Sequence, residues 1–105
     1  MAPPRSYRRV YRTFGAIDFD PVKSDAVLAE RGFDLAYIAR VFLGIVLERQ
    51  DTRRYNKRRC QVIAELQGTI FILVYTRRGS SSICRLITVW EADPDEIAIW
   101  YDVNS

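Results

Sequence analysis

Cys60-Gln61-Val62-Ile63-Ala64-Glu65-Leu66-Gln67-Gly68-Thr69-Ile70-Phe71-Ile72-Leu73-Val74-Tyr75-Thr76 is the stretch that decides the fold. Cys60, Val62, Ala64 and Leu66 recur at every second position, so a strand over Arg58–Leu66 presents them on one face. Gln67-Gly68 then supplies a tight turn, and the β-branched and aromatic run Thr69–Thr76 supplies the returning strand. A second turn at Arg78-Gly79-Ser80 leads into a third strand, Ile83–Trp90. Three consecutive strands joined by tight turns make an antiparallel meander.

Downstream of the meander, Asp93-Pro94 is a helix start, and Glu96 completes a capping box with Asp93. That last helix carries Ile97, Trp100 and Tyr101 on one side. Upstream, Ile45–Arg49 reads as a strand, and Asp51–Asn56 as a polar turn or strand extension. Before it, Asp34 caps a helix whose Leu35, Ile38, Ala39 and Phe42 form an i, i+3, i+4, i+7 stripe ended by Gly44. Asp20-Pro21 starts another helix, running to Arg31 with Val22, Ala26 and Ala29 on one face and Gly32 closing it. Gly15–Phe19 is a short strand. Residues 1–13 lack periodicity and read as a flexible basic arm before a single domain over 14–105. The fold class is α+β: two N-terminal helices packed on a curved antiparallel sheet, with a C-terminal helix.

The 105 residues suffice for one core and not two. An apolar fraction of 49% is that of a folded chain. There is no His, which removes the commonest general acid/base, and two Cys without His make a Cys/His zinc site untenable. Cys60 and Cys84 sit in apolar strands and read as reduced core thiols. The N-terminus lacks an apolar leader, and no run reaches transmembrane length, so a cytoplasmic protein with no membrane association is expected.

The net charge is only +3, but it is unevenly placed. Six of the eleven residues from 49 to 59 are cationic: Arg49, Arg53, Arg54, Lys57, Arg58 and Arg59. Arg5, Arg8, Arg9 and Arg12 cluster near the start, whereas Asp93, Asp95, Glu96 and Asp102 make the end acidic. Cations on a strand edge serve either as protection against edge-to-edge pairing or as a polyanion site. Six cations with Tyr55 among them exceed what edge protection needs, and they suit phosphates and unstacked bases. Tyr75, Arg77 and Arg78 at the second hairpin, with Arg85 on the next strand, form a second group. If these share a face with Arg59, several guanidinium groups converge on one phosphodiester and stabilise the oxyanion of cleavage by the 2′-hydroxyl. Asp51, Glu65 or a Tyr hydroxyl would then move the protons. Trp90 and Trp100 are expected to pack. No nucleotide loop, nucleophile elbow or carboxylate metal cage is present.

The string Phe19-Asp20-Pro21-Val22-Lys23, the later Gly32 and Val41-Phe42 resemble the opening of the BrnT toxins. Asp51-x-Arg53-x-Tyr55 followed by Arg59 resembles that family's middle segment. Leu73-Val74-Tyr75-Thr76-Arg77-Arg78-Gly79, Arg85-Leu86-Ile87-Thr88 and Ala92 with Glu96 resemble its end. The resemblance implies a RelE-like fold and a ribonuclease of a type II toxin–antitoxin system that cleaves mRNA without metal or other cofactor. It further implies neutralisation by a BrnA-like antitoxin, as a dimer or heterotetramer, with operator DNA bound only through that complex. It assigns catalytic roles to Arg53, Tyr55, Arg59 and Arg85, and leaves Arg54, Arg58, Arg77 and Arg78 to bind RNA. The chain departs from the family pattern at Glu30-Arg31, where Lys-His is usual. It departs again at Asn56-Lys57, where Gly-Glu is usual, and at Thr88-Val89-Trp90, where Ser-Ala-Arg is usual. Two alternatives therefore stand beside the toxin: a catalytically impaired module that binds RNA or antitoxin, and a regulatory protein whose arm at 5–12 contacts DNA.

Overall fold

The computed structural model describes residues 7–32, 34–51, 59–78 and 83–104. Strands β1 (Arg8–Val10) and β2 (Ala16–Asp18) precede helices α1 (Pro21–Arg31) and α2 (Leu35–Ile38), and a 3₁₀ turn at Ala39–Leu43 follows. Strands β3 (Val46–Asp51), β4 (Arg59–Leu66), β5 (Thr69–Arg78) and β6 (Ile83–Glu91) then lead to helix α3 (Pro94–Asn104). The six strands form one sheet in the order β1-β3-β4-β5-β6-β2.

The meander β4-β5-β6 forms as its alternation dictates, with Gln67 and Gly68 both at positive φ in the tight turn. Helix α1 begins and ends where the sequence places it. Asp20 accepts from the Val22 N–H at 3.0 Å, and Gly32 takes the left-handed conformation that closes a helix without a Cβ penalty. The capping box of α3 is also formed, with reciprocal 2.8 Å bonds between Asp93 and Glu96.

Four features differ from the sequence reading. The sheet is mixed rather than wholly antiparallel, because β2 adds to β6 in parallel at its far edge. Within the stretch read as an arm, Arg8–Val10 pair with β3 at the opposite edge. A three-residue edge strand is too short for an alternation signal to register. The face of α1 is rotated: Val22, Ala26 and Ala29 are exposed, while Ser24 is buried and Val27 half-buried. The Ser24 Oγ accepts from the Leu35 N–H at 3.0 Å, so a polar contact to the next helix decides which side of α1 turns inward. Finally, the stripe Leu35, Ile38, Ala39, Phe42 spans α2 and the 3₁₀ turn, which continues the helix in tighter form to Gly44.

Two apolar clusters lie on opposite faces of the sheet. Val46, Val62, Ala64, Phe71, Leu73, Tyr75, Cys84, Leu86 and Val89 meet Leu35, Ile38, Val41 and Phe42 on the first face. Leu47, Ile63, Ile70 and Ile72 on the second face meet Trp90 and the Ile97, Ile99, Trp100 and Val103 side of α3. Tyr101, expected on that side, is instead 58% exposed.

Candidate nucleic-acid interface

Helix α3 covers only one end of the second face. Residues paired across neighbouring strands point to the same face, so the register sorts this face into rows. Leu47, Ile63, Ile72 and Trp90 pair in sequence across β3, β4, β5 and β6 and form the row beneath α3. The next row is Arg49, Gln61, Val74 and Thr88. The row beyond it is Arg59, Thr76, Arg85 and, across the parallel pairing, Asp18, with the backbone of Asp51 in register with Arg59. Rows are about 7 Å apart, and Arg59 and Arg85 stand two strands, about 10 Å, from each other.

The residues of these rows are held from several sides. The Arg49 guanidinium donates to Gln61 Oε1 at 3.0 and 2.8 Å and stacks over the Tyr7 ring at 4.5 Å. Arg85 pairs with Asp18 at 2.6 Å. Arg59 keeps its Nε shielded from solvent with no hydrogen-bond partner among the described residues. An unsatisfied guanidinium donor beside a second arginine is a place where an anion is favoured, since charge-assisted bonds to phosphate oxygens are among the strongest available.

Two sequence-predicted residues, Arg59 and Arg85, thus come together around Thr76. Arg53, Arg54, Tyr55 and Arg58 lie outside the described residues, as does Lys57. Arg78 ends β5. Arg77 pairs with the buried Cys84 and so stands on the first face, away from Arg59 and Arg85, exposed at the rim of the main core. Of the acids expected to move protons, Glu65 lies six residues along β4 from Arg59, about 20 Å away and beyond the row that α3 covers. Asp51 is in backbone register with Arg59. Tyr75 is fully buried on the first face. Sequence reasoning missed Asp18 and Thr76. Thr76 was readable once Arg59 had been placed, because alternation along the hairpin fixes its face. Asp18 was not readable, because a parallel edge addition leaves no local pattern.

A family model for the ribonuclease toxin BrnT of type II toxin–antitoxin systems matches residues 19–96. The chain belongs to this family. No individual curated protein matches it. The BrnT match runs from the entry to α1 into the first turn of α3, so it takes in Arg59, Thr76 and Arg85 but stops short of β1, β2 and Asp18. BrnT membership makes the chain one of a family of ribonuclease toxins and implies an antitoxin as partner. Of the departures from the BrnT pattern, Trp90 has a packing role: it is half-buried in the row under α3, on the second cluster.

A buried polar network lies behind the site, on the first face. Arg12, just after β1, makes a bidentate ion pair with Glu48, its Nε donating at 3.2 Å, and the Tyr75 hydroxyl donates to the same carboxylate. Phe14, Phe42 and Tyr75 pack edge-to-face around it at 5.2–5.7 Å. The hydrogen bond to Glu48 raises the Arg12 guanidinium above its ordinary value. Burial, with the bond to Glu48 adding to it, drives the Tyr75 hydroxyl far above the usual tyrosine range. Burial likewise raises the Cys60 thiol and pushes Cys84 up to about 12, so both cysteines are free, protonated core thiols rather than nucleophiles. Among the described residues there is no group of three His, Cys, Asp or Glu able to hold a metal ion, and no helix is long and apolar enough to cross a membrane.

Proposed function

We propose that this BrnT-family protein is an endoribonuclease that cleaves mRNA in the cytoplasm without a metal ion, arrests growth, and is neutralised by a BrnA-like antitoxin. The observation that carries this reading is the row Arg59–Thr76–Arg85 on the part of the sheet that α3 leaves open. Two guanidinium groups fixed on alternate strands accept a phosphodiester between them and meet the charge that develops on its non-bridging oxygens. That electrostatic term is usually the largest in such reactions. Arg53 joins them on the phosphate and Tyr55 stacks a base or assists the reaction, while Arg54, Arg58 and Arg78 bind flanking RNA and Arg77, on the other face, stays out of that contact. Helices on one face of a sheet and a terminal helix on the other support a RelE-like reading of the fold. The complex with antitoxin, a dimer or heterotetramer, binds operator DNA through the antitoxin.

The test is cleavage of a defined RNA by the purified chain in EDTA. Cleavage that disappears in Arg59→Ala and in Arg85→Ala is the expected result. No cleavage, cleavage indifferent to both substitutions, or a requirement for divalent metal refutes it. Co-expression with the neighbouring reading frame tests the antitoxin: growth arrest by the chain alone is relieved by its cognate partner.

One observation favours a second reading, an RNA- or antitoxin-binding module without turnover. Trp90 stands where the BrnT pattern has an arginine, and it is spent on packing under α3. Tight RNA binding with intact transcripts identifies that case.

A further inference from the structure

We propose that Asp18 is the general base of the reaction, a role that rests on the ribonuclease reading above. Three observations lead to it. The parallel pairing of β2 with β6 puts Asp18 directly beside Arg85, in the same row as Thr76 and Arg59. The Arg85 guanidinium holds Asp18 Oδ2 at 2.6 Å, and this is the one hydrogen bond Asp18 makes among the described residues, so Oδ1 is left unoccupied. The carboxylate is also reachable: its side chain is 48% exposed, and β2 is the edge strand, with β6 as its one sheet neighbour.

That is the arrangement proton abstraction requires. One carboxylate oxygen is anchored by Arg85, and the half-exposed side chain stands at the Arg85 end of the row. The guanidinium that anchors it also offsets the repulsion between a carboxylate and an incoming phosphodiester. An ion pair this exposed contributes little to stability, which leaves its place in the row without a folding explanation. Of the other acids, Glu48 is buried on the opposite face, bound by Arg12 and Tyr75, Glu65 lies beyond the row covered by α3, and the Asp51 backbone is in register with Arg59 on β3, three strands from Arg85.

In the step itself, Asp18 Oδ1 takes the proton of the ribose 2′-hydroxyl as its oxygen forms a bond to phosphorus. The bond from phosphorus to the 5′-oxygen breaks, and the departing oxygen takes a proton from water. The products are a 2′,3′-cyclic phosphate and a 5′-hydroxyl, and Asp18 returns its proton to solvent. Arg59 and Arg85 carry the charge of the pentavalent intermediate.

The experiment compares wild type, Asp18→Asn, Asp18→Ser and Asp18→Glu in single-turnover cleavage across pH. It also measures binding of an RNA blocked by 2′-O-methyl groups. Loss of a general base is expected to slow cleavage about 10²- to 10⁴-fold in the Asn and Ser variants and to abolish the acid limb of the rate profile. The blocked RNA should bind as tightly as to wild type or more tightly, and Asp18→Glu should keep the acid limb and recover part of the rate. Two results overturn the assignment. One is a rate within about threefold of wild type with the acid limb intact. The other is loss of blocked-RNA binding in parallel with cleavage, which makes Asp18 a mere support for Arg85. A wild-type chain that cleaves while Asp18 is dispensable removes this inference alone, whereas a wild-type chain that never cleaves removes the ribonuclease reading and this inference with it.

Discussion

Replacing Glu48 tests whether the buried network fastens the N-terminal strand to the sheet. The Glu48 side chain is 6% exposed and that of Arg12 is 28% exposed. The Tyr75 hydroxyl, which donates to the same carboxylate, belongs to a residue with no exposure at all. In Glu48→Gln the amide oxygen still accepts from Tyr75 and the Arg12 Nε and no cavity opens, but the charge is removed and the amide nitrogen no longer accepts from the Arg12 Nη2. A hydrogen bond to a charged group exceeds a neutral one by about 1–1.5 kcal/mol. Arg12 is exposed enough for water to replace part of the loss, so the cost should be about 1 kcal/mol. In Glu48→Ala the Tyr75 hydroxyl is left buried and unsatisfied, which adds about 1–3 kcal/mol, and truncating the buried side chain adds a cavity term. The total should be about 3–4 kcal/mol. A domain of this size loses about 4–8 °C of Tm per kcal/mol, so the Gln variant should melt about 4–8 °C below wild type. Urea titration followed by tryptophan fluorescence suits the measurement, because Trp90 and Trp100 both pack in the second cluster, remote from the substitution. Two variants within about 0.5 kcal/mol of wild type, or Gln as costly as Ala, refute the reasoning.

Arg59→Ala and Arg85→Ala should each weaken single-stranded RNA binding and lower the slope of log affinity against log salt by roughly 0.7 for each phosphate no longer neutralised. Arg77→Ala, on the other face, should change affinity less than either; equal losses from all three contradict the division into faces. Raising the pH should destabilise the protein. Tyr75, Cys60 and Cys84 titrate higher in the folded chain than their ordinary values of 10.0, 9.0 and 9.0. The unfolded chain therefore loses protons first, and stability present below about pH 9 declines as the pH rises toward the folded values. Cys84→Ala should flatten this decline by at most about 1.4 kcal/mol per pH unit, measured as urea midpoints from pH 8 to 11. Asp93→Ala removes one half of the α3 capping box and should cost about 1 kcal/mol, read in the same titration; a neutral result would mean that α3 is held by its apolar side alone.

Periodicity carried the meander and caps carried the helix ends because both are local. Alternation from Cys60 to Leu66 states which residues face the core, and Asp20, Gly32, Asp93 and Glu96 satisfy backbone groups within a turn of themselves. The parallel addition of β2 and the strand at Arg8–Val10 depend on partners 67 and roughly 40 residues distant, and three residues are too few to show a period. The inward side of α1 is set by the Ser24–Leu35 hydrogen bond, which a hydrophobic pattern cannot register. The candidate site divided in the same way. Arg59 and Arg85 were legible as cations on strands of known order, and the reversal of face at each successive residue sets Arg77 and Tyr75 on the other side.

That reversal also explains how the site is held. Each described member of the row is the chain neighbour of a residue fixed on the opposite face. Arg59 adjoins Cys60, Thr76 adjoins Tyr75, Arg85 lies between Cys84 and Leu86, and Arg49 in the next row adjoins Glu48. A slip of one residue in any strand would bury a guanidinium and expose a core side chain, so the main core excludes it and thereby sets the spacing of the arginines. The irregularity between Val74 and Tyr75 is absorbed by one extra residue on β6, Ile87, which restores the pairing of Thr76 with Arg85. The spacing of the strands that carry the arginines is thus inherited from packing, to which the Arg85–Asp18 pair adds. It follows that Tyr75→Phe, which removes a buried hydroxyl but keeps the ring against Phe14 and Phe42, should lower stability while leaving RNA affinity unchanged. If affinity falls with stability, the row is not rigidly set by the core behind it.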